Sequence, residues 1–149
     1  MKLKKMKNIK KILFSIIIIL STTYLQAGES FFNEAKKKFD QDKLEDSKFL
    51  LQRNIVYNPK HAKSYLYLAK IFKSEDNEEE HIKNINTALL LDPKNEDAMY
   101  MLIDYEIKKS NYSKVKELKE NFLIICKNLC DKKNKIDDLI KDIEPKDES

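Results

Sequence analysis

The sequence has one glycine (Gly28), three prolines (Pro59, Pro93, Pro145) and no tryptophan in 149 residues. With a single residue able to take positive φ at no steric cost, phosphate-cradling loops, dinucleotide fingerprints and the tight hairpins of most all-β folds have almost nothing to be built from. Histidine is scarce too, His61 and His81 being the only imidazoles. Neither lies in a His-Glu-x-x-His arrangement and no Gly-x-Ser-x-Gly elbow occurs, so catalysis has little to work with and no cofactor is expected. What is present is 42% apolar and 36% charged residues. That is enough to bury one modest core in a single domain.

The formal charge of +4 is unevenly placed. Lys2, Lys4, Lys5, Lys7, Lys10 and Lys11 precede Gly28 with no acid among them, which leaves 23 basic against 25 acidic residues, a balance of −2, for the rest. The remainder lacks the basic field that nucleic-acid binding needs, and no nucleic-acid partner is expected. The basic start, the apolar run Ile12 to Leu20, the polar Ser21-Thr22-Thr23 and the small Ala27 have the build of a signal peptide over 1–27, cleaved after Ala27. The run falls short of the roughly 20 apolar residues that span a bilayer. No membrane span is therefore expected after cleavage, retention as an anchor being the other reading. Richness in Lys, Asn and Ile with this signal points to a bacterial envelope protein, periplasmic or secreted.

From Ser30 onward apolar residues recur at helical spacing and nowhere alternate long enough for a half-buried strand, so the chain is expected to be all-α. Phe31, Ala35 and Phe39 form one stripe and Leu44, Leu51 and Ile55 a second, split by Asp40-Gln41-Asp42. Two antiparallel helices with a short turn follow. Asp42, three residues before Glu45, reads as the start of a capping box. Further stripes at Tyr65, Leu68, Ala69 and Phe72, at Ile82, Ile85 and Leu89, at Met99, Leu102 and Ile103, and at Val115, Leu118 and Phe122 complete six helices in three pairs. A last stretch, Asn134 to Ile143, puts Ile136, Leu139, Ile140 and Ile143 on one face and predicts a terminal helix that shields the exposed end.

Ile55-Val56-Tyr57-Asn58-Pro59-Lys60 recurs as Leu89-Leu90-Leu91-Asp92-Pro93-Lys94, 34 residues later. Proline there ends one helix and presets the next, because it pushes the preceding residue out of the α region and its own φ suits a helix start. A 34-residue helix–turn–helix period resembles the tetratricopeptide repeat. The second unit carries the pattern best, in Tyr65, Leu68, Ala69, Phe72, Ala88 and Leu91-Asp92-Pro93; the first keeps Phe31, Ala35 and Pro59, and the third Met99, Leu102 and Tyr105. The resemblance covers about Glu29 to Ile125. It implies a short right-handed superhelix of about three repeats, near 28–61, 62–95 and 96–129, closed by a capping helix at 131–144, with a flexible tail at 145–149. Departures fall at Ser47, Asn54 and His81, where the family prefers alanine, and at Ile103, Val115 and Phe122, which replace small residues. They predict looser packing in the outer pairs and a displaced second helix at His81.

The resemblance also implies a function: an interaction module or assembly scaffold that binds a peptide or protein segment in the groove lined by the first helix of each unit. The groove positions fall on Phe32, Lys36, Phe39, Lys63, Leu66, Lys70, Lys73, Tyr100, Asp104, Ile107 and Lys108. A segment lying on the aromatic side chains, with its acidic groups drawn to Lys36, Lys70 and Lys73, is the expected mode; a solvated lysine face is the plainer one. Phe32, Lys36, Tyr100 and Asp104 stand where chaperone-tail clamps carry asparagines and basic residues, which argues against such a tail. A subunit self-associating through its helical ends and an enzyme with an unrecognised site remain as other classes.

Two constellations bear on possible chemistry. Glu78 and His81 have the Glu-x-x-His spacing of a di-iron half-site but lack the second motif, and the acidic Asp40 to Asp46 lacks a calcium loop's glycine, so no metal site is expected. Cys126 and Cys130 share a helix face four residues apart, where Cβ atoms lie about 5–6 Å from each other, whereas a disulfide wants roughly 3.5–4.5 Å. A bridge would mark the end of the helix and stabilise by no more than about 2 kcal/mol on the chain-entropy model. Free thiols and a redox or metal role are the alternatives.

Overall fold

The structure, a computed structural model, describes residues 30–144; the segment 1–27, the Ala27-Gly28 junction and the tail 145–149 lie outside the described residues. Seven helices and no strand occur among the described residues: α1 (30–40), α2 (Leu44–Tyr57), α3 (Ala62–Ser74), α4 (Glu78–Leu91), α5 (Glu96–Lys108), α6 (Tyr112–Ile125) and α7 (Lys132–Ile143). The chain forms two compact units, one ending at His61 and the other beginning at Ala62.

The turn inside each helix pair is built the same way three times. Asp42, Asp76 and Ser110, spaced by 34 residues, take positive φ of 59°, 54° and 53°. The next N–H then reaches back to close the preceding helix: Lys43 to the Lys38 carbonyl at 2.9 Å, Asn77 to Phe72 at 2.9 Å, Asn111 to Glu106 at 3.0 Å. Such a closure satisfies carbonyls a helix end leaves open and needs one left-handed residue, commonly glycine. Without glycine to supply it, Asp and Ser occupy the position at a cost of about 1 kcal/mol each. This overturns the capping-box reading of Asp42. The turn uses Asp42 for its left-handed step, so the helix start falls on Lys43, whose side chain makes no cap. In the second unit the same register holds true caps: Asn77 accepts from the Glu80 N–H at 3.1 Å and Asn111 from the Lys114 N–H at 3.4 Å.

The unexpected residues at the small positions are accommodated by pairing. Ala35 and Ala69 are fully buried, and the side chain twelve residues on returns to each carbonyl: Ser47 Oγ donates to Ala35 at 2.9 Å, and His81 Nδ1 donates to Ala69 at 2.8 Å. The carbonyl can only accept, so His81 carries its proton on Nδ1. In the third pair the same register holds Ile103 and Val115, both fully buried, and the link becomes apolar. Phe122, a further departure, is fully buried as well. As the sequence predicts, α5 and α6 of the third pair approach less closely than α3 and α4 of the second, and the large residues Ile103, Val115 and Phe122 fill the wider gap.

The core of the second unit runs from Leu66, Ala69 and Ile85 through Ala98, Met99 and Leu102 to Leu118, Phe122 and Ile136. Helix α7 closes it. Ile136 is fully buried, Ile140 and Ile143 pack on the same cluster, an ion pair joins Asp137 to Lys119 of α6, and the Tyr112 hydroxyl donates to Glu144 at 2.7 Å. Among the described residues no helix is long and apolar enough to cross a membrane.

The second helices also end alike, the N–H groups of Asn58, Asp92 and Cys126 each reaching the carbonyl four residues back at 2.8 Å. Proline follows in the first two cases and a disulfide in the third. Cys126 and Cys130 are bridged, with Cα atoms 5.3 Å apart. Helix α6 stops at Ile125 and Cys126 turns extended (φ −62°, ψ 140°), because an intact helix would hold the two Cβ atoms too far apart.

Candidate functional site

Helices α3 and α5 are the first helices of the second and third pairs, and cross-links between their side chains show which faces they share. Lys73 Nζ lies 2.6 Å from Asp104 and Lys70 Nζ 3.6 Å from Asp97, so two carboxylates of α5 meet two lysines of α3. Tyr100 and Ile107 sit on α5 between and beyond these carboxylates, half-buried, with the Tyr100 ring 6.3 Å from that of Phe122 beneath. Lys63, in the first turn of α3, and Lys108, in the last turn of α5, are exposed and make no ion pair among the described residues. Leu66 is only 5% exposed and belongs to the core, so it offers a ligand little surface.

The remaining groove residues named from the sequence lie on α1 in the first unit. Phe32 is 6% exposed, edge-on to His61 with ring centroids 4.6 Å apart; Lys36 pairs with Asp40 at 2.6 Å, and Phe39 is half-buried. Of the three lysines expected to attract acidic groups, Lys36, Lys70 and Lys73, each already meets an aspartate. Asp97 is the residue the sequence reading missed. Its signal was available, since it occupies in the third repeat the place of Lys63 in the second, with opposite charge.

At the far end of this face, where the α3–α4 turn meets α5, a small cavity of about 50 Å³ is lined by Phe72, Asn77, Glu78, His81 and Tyr105. It has room for no more than a water or two. Glu78 hydrogen-bonds Lys109 at 2.7 Å, which holds its carboxyl below the usual carboxylate range and raises the lysine. With His81 bound to the Ala69 carbonyl, both members of the Glu-x-x-His pair are engaged elsewhere. Among the described residues no group of three His, Cys, Asp or Glu could hold a metal ion.

A second polar cluster lies at the start of α5. Glu96 Oε2 accepts from the N–H groups of Asn128 and Leu129 at 2.8 and 2.9 Å, and Oε1 from the Asn128 side chain at 3.3 Å. The Lys127 N–H, with those of Leu129 and Asn128, holds the Glu96 carboxyl below its ordinary range. Nothing in the residue types or their spacing signals this contact.

No family model and no curated protein matches the chain. Solved structures do. The first tetratricopeptide domain of Spaghetti (RPAP3), bound to the HSP90 peptide SRMEEVD, matches with a TM-score of 0.69 at 14% identity over 79% of this chain and 94% of that one. The TPR2B domain of yeast Sti1, in complex with pHsp70, gives 0.66 at 19% over 79% and 96%. The Yersinia enterocolitica type III secretion chaperone SycD, with a peptide of the translocator YopD, gives 0.65 at 14% over 77% and 90%. The fold is that of the tetratricopeptide domains.

Proposed function

We propose that this chain is an exported protein-interaction module that takes a peptide or protein segment on the face shared by α3 and α5, and that its work is binding rather than catalysis. One observation carries the reading: on that face the half-buried Tyr100 and Ile107 are flanked by the ion pairs Lys70–Asp97 and Lys73–Asp104, with the exposed cations Lys63 and Lys108, which make no ion pair among the described residues, at the two ends. The internal pairs neutralise the middle of the strip. A bound segment therefore places apolar side chains over Tyr100 and Ile107 and its acidic groups at the ends, with an on-rate that falls as salt rises. The solved domains of the same fold with peptides bound support this mode. Export, to the periplasm or outside, rests on the 1–27 pattern alone.

The test begins with capture of the mature chain from its host envelope and identification of what accompanies it. The double change Lys63→Glu, Lys108→Glu is expected to weaken binding of that partner by at least about tenfold and to flatten its salt dependence, with melting little changed because both lysines are exposed. Equal affinity in the variant would refute the proposal. Reversing Lys70 and Lys73 instead would set new carboxylates against Asp97 and Asp104 and confound binding with folding. For export, the N-terminus isolated from the host should begin at Gly28; Met1 would reject cleavage.

A further inference from the structure

The turn after α6 is where the repeat exchanges its proline for a covalent bond, and the residues inside that short ring do something the proline turns do not. Asn128 and Leu129 present successive N–H groups to one oxygen of Glu96 at 2.8 and 2.9 Å, and the Asn128 side chain donates to the other at 3.3 Å. Glu96 is the first residue of α5, and Asp97, next to it, faces Lys70 of α3. The ring thus grips the end of α5 that borders the α3–α5 face.

We propose that the Cys126–Cys130 bridge and Glu96 form a redox-sensitive latch, in which the oxidised ring holds its amides on the carboxylate and reduction by a dithiol releases them. A thiolate of the dithiol attacks one cystine sulfur, forming a mixed disulfide and expelling the other cysteine as thiolate; the reductant's second sulfur then closes on the first. Two electrons pass to the protein, the dithiol leaves as a cyclic disulfide, and its two protons end on Cys126 and Cys130. The coupling is reciprocal: by whatever factor the carboxylate favours the closed ring, closing the ring favours the carboxylate contact. Helix α7 keeps Ile136, the Lys119–Asp137 pair and the Tyr112–Glu144 hydrogen bond, so the change is confined to the ring and the first turn of α5. This inference does not depend on what the α3–α5 face binds.

Asp92, Lys94 and Asp97 border the same shallow groove as Glu96 and are present in both redox states. The test equilibrates the chain as purified from its host in mixtures of reduced and oxidised dithiothreitol, with thiols counted by alkylation and mass. Glu96→Gln is expected to be half-reduced at a dithiothreitol ratio lower by at least about fivefold, and Asn128→Ala, which removes one side-chain donor and no amide, by less. A shift below about twofold for Glu96→Gln, in a variant that melts like the parent, overturns the latch. The parent chain gives a second reading that needs no variant. On reduction the Glu96 carboxyl should titrate at higher pH in NMR and the 127–129 amides should exchange about tenfold faster, with the α3 and α4 amides unchanged; no change in either overturns it equally.

Discussion

Phe122→Ala should cost about 3–5 kcal/mol, the range for truncating a buried aromatic ring that leaves a cavity behind. Phe122 is fully buried on α6 and sits where the second pair has Ala88 and the first has Asn54. The third pair is therefore built around a ring the others lack, with Tyr100 tilted against it and Ile136 of α7 in the same cluster. Neighbouring side chains already fill their own places, so little can move in to take up the lost volume. Set against a typical total stability of about 5–15 kcal/mol, the loss should lower the melting temperature by on the order of 10 °C. Thermal unfolding followed by circular dichroism measures it. A loss under about 1 kcal/mol would mean that α6 and α7 do not share the packed core described above.

Ala69→Leu should cost about 1–3 kcal/mol, by overpacking instead of by a void. Ala69 is fully buried, and the His81 ring hydrogen-bonds its carbonyl, so the added carbons must push into α4 or break that bond. The third pair shows what the site would need to take a larger residue. There Ile103 occupies the register of Ala69 and Val115 that of His81, and both are fully buried. Combining Ala69→Ile with His81→Val copies that pair and should recover part of what Ala69→Ile alone loses, a coupling of about 0.5–3 kcal/mol for residues in contact. Purely additive losses in denaturant melts would contradict the packing described here.

Much of the architecture was legible because helical stripes and a 34-residue period are properties of local spacing. The pairing of helices, the terminal helix, the buried Ala69 and Ala88 and the break of α6 at Cys126 all follow from residue spacing and backbone geometry. The candidate site was legible only in outline. Register placed Lys63, Lys70, Lys73, Tyr100, Asp104 and Lys108 on the first helices, but the charge that Lys70 and Lys73 present depends on carboxylates far along the chain. Lys73 and Asp104 are 31 residues apart, as are Lys109 and Glu78.

Composition and spacing by themselves determined that the chain is helical, that it repeats, and that its turns must manage without glycine. At particular positions burial needed the tertiary structure, because hydrophobicity alone did not decide it. Val56, Leu90 and Ile124, spaced by 34, are 79%, 80% and 81% exposed, while Ser47, Asn54 and His81 lie inside. The reason is geometric. A helix position faces inward or outward according to the neighbour it packs on, and a polar side chain can be buried where a carbonyl is placed to accept its hydrogen bond, as those of Ala35 and Ala69 are for Ser47 and His81. The same holds for Glu96, whose partners are backbone amides of a ring closed by a disulfide: residue types could not announce them, because a backbone N–H is the same at every position until the fold aims it.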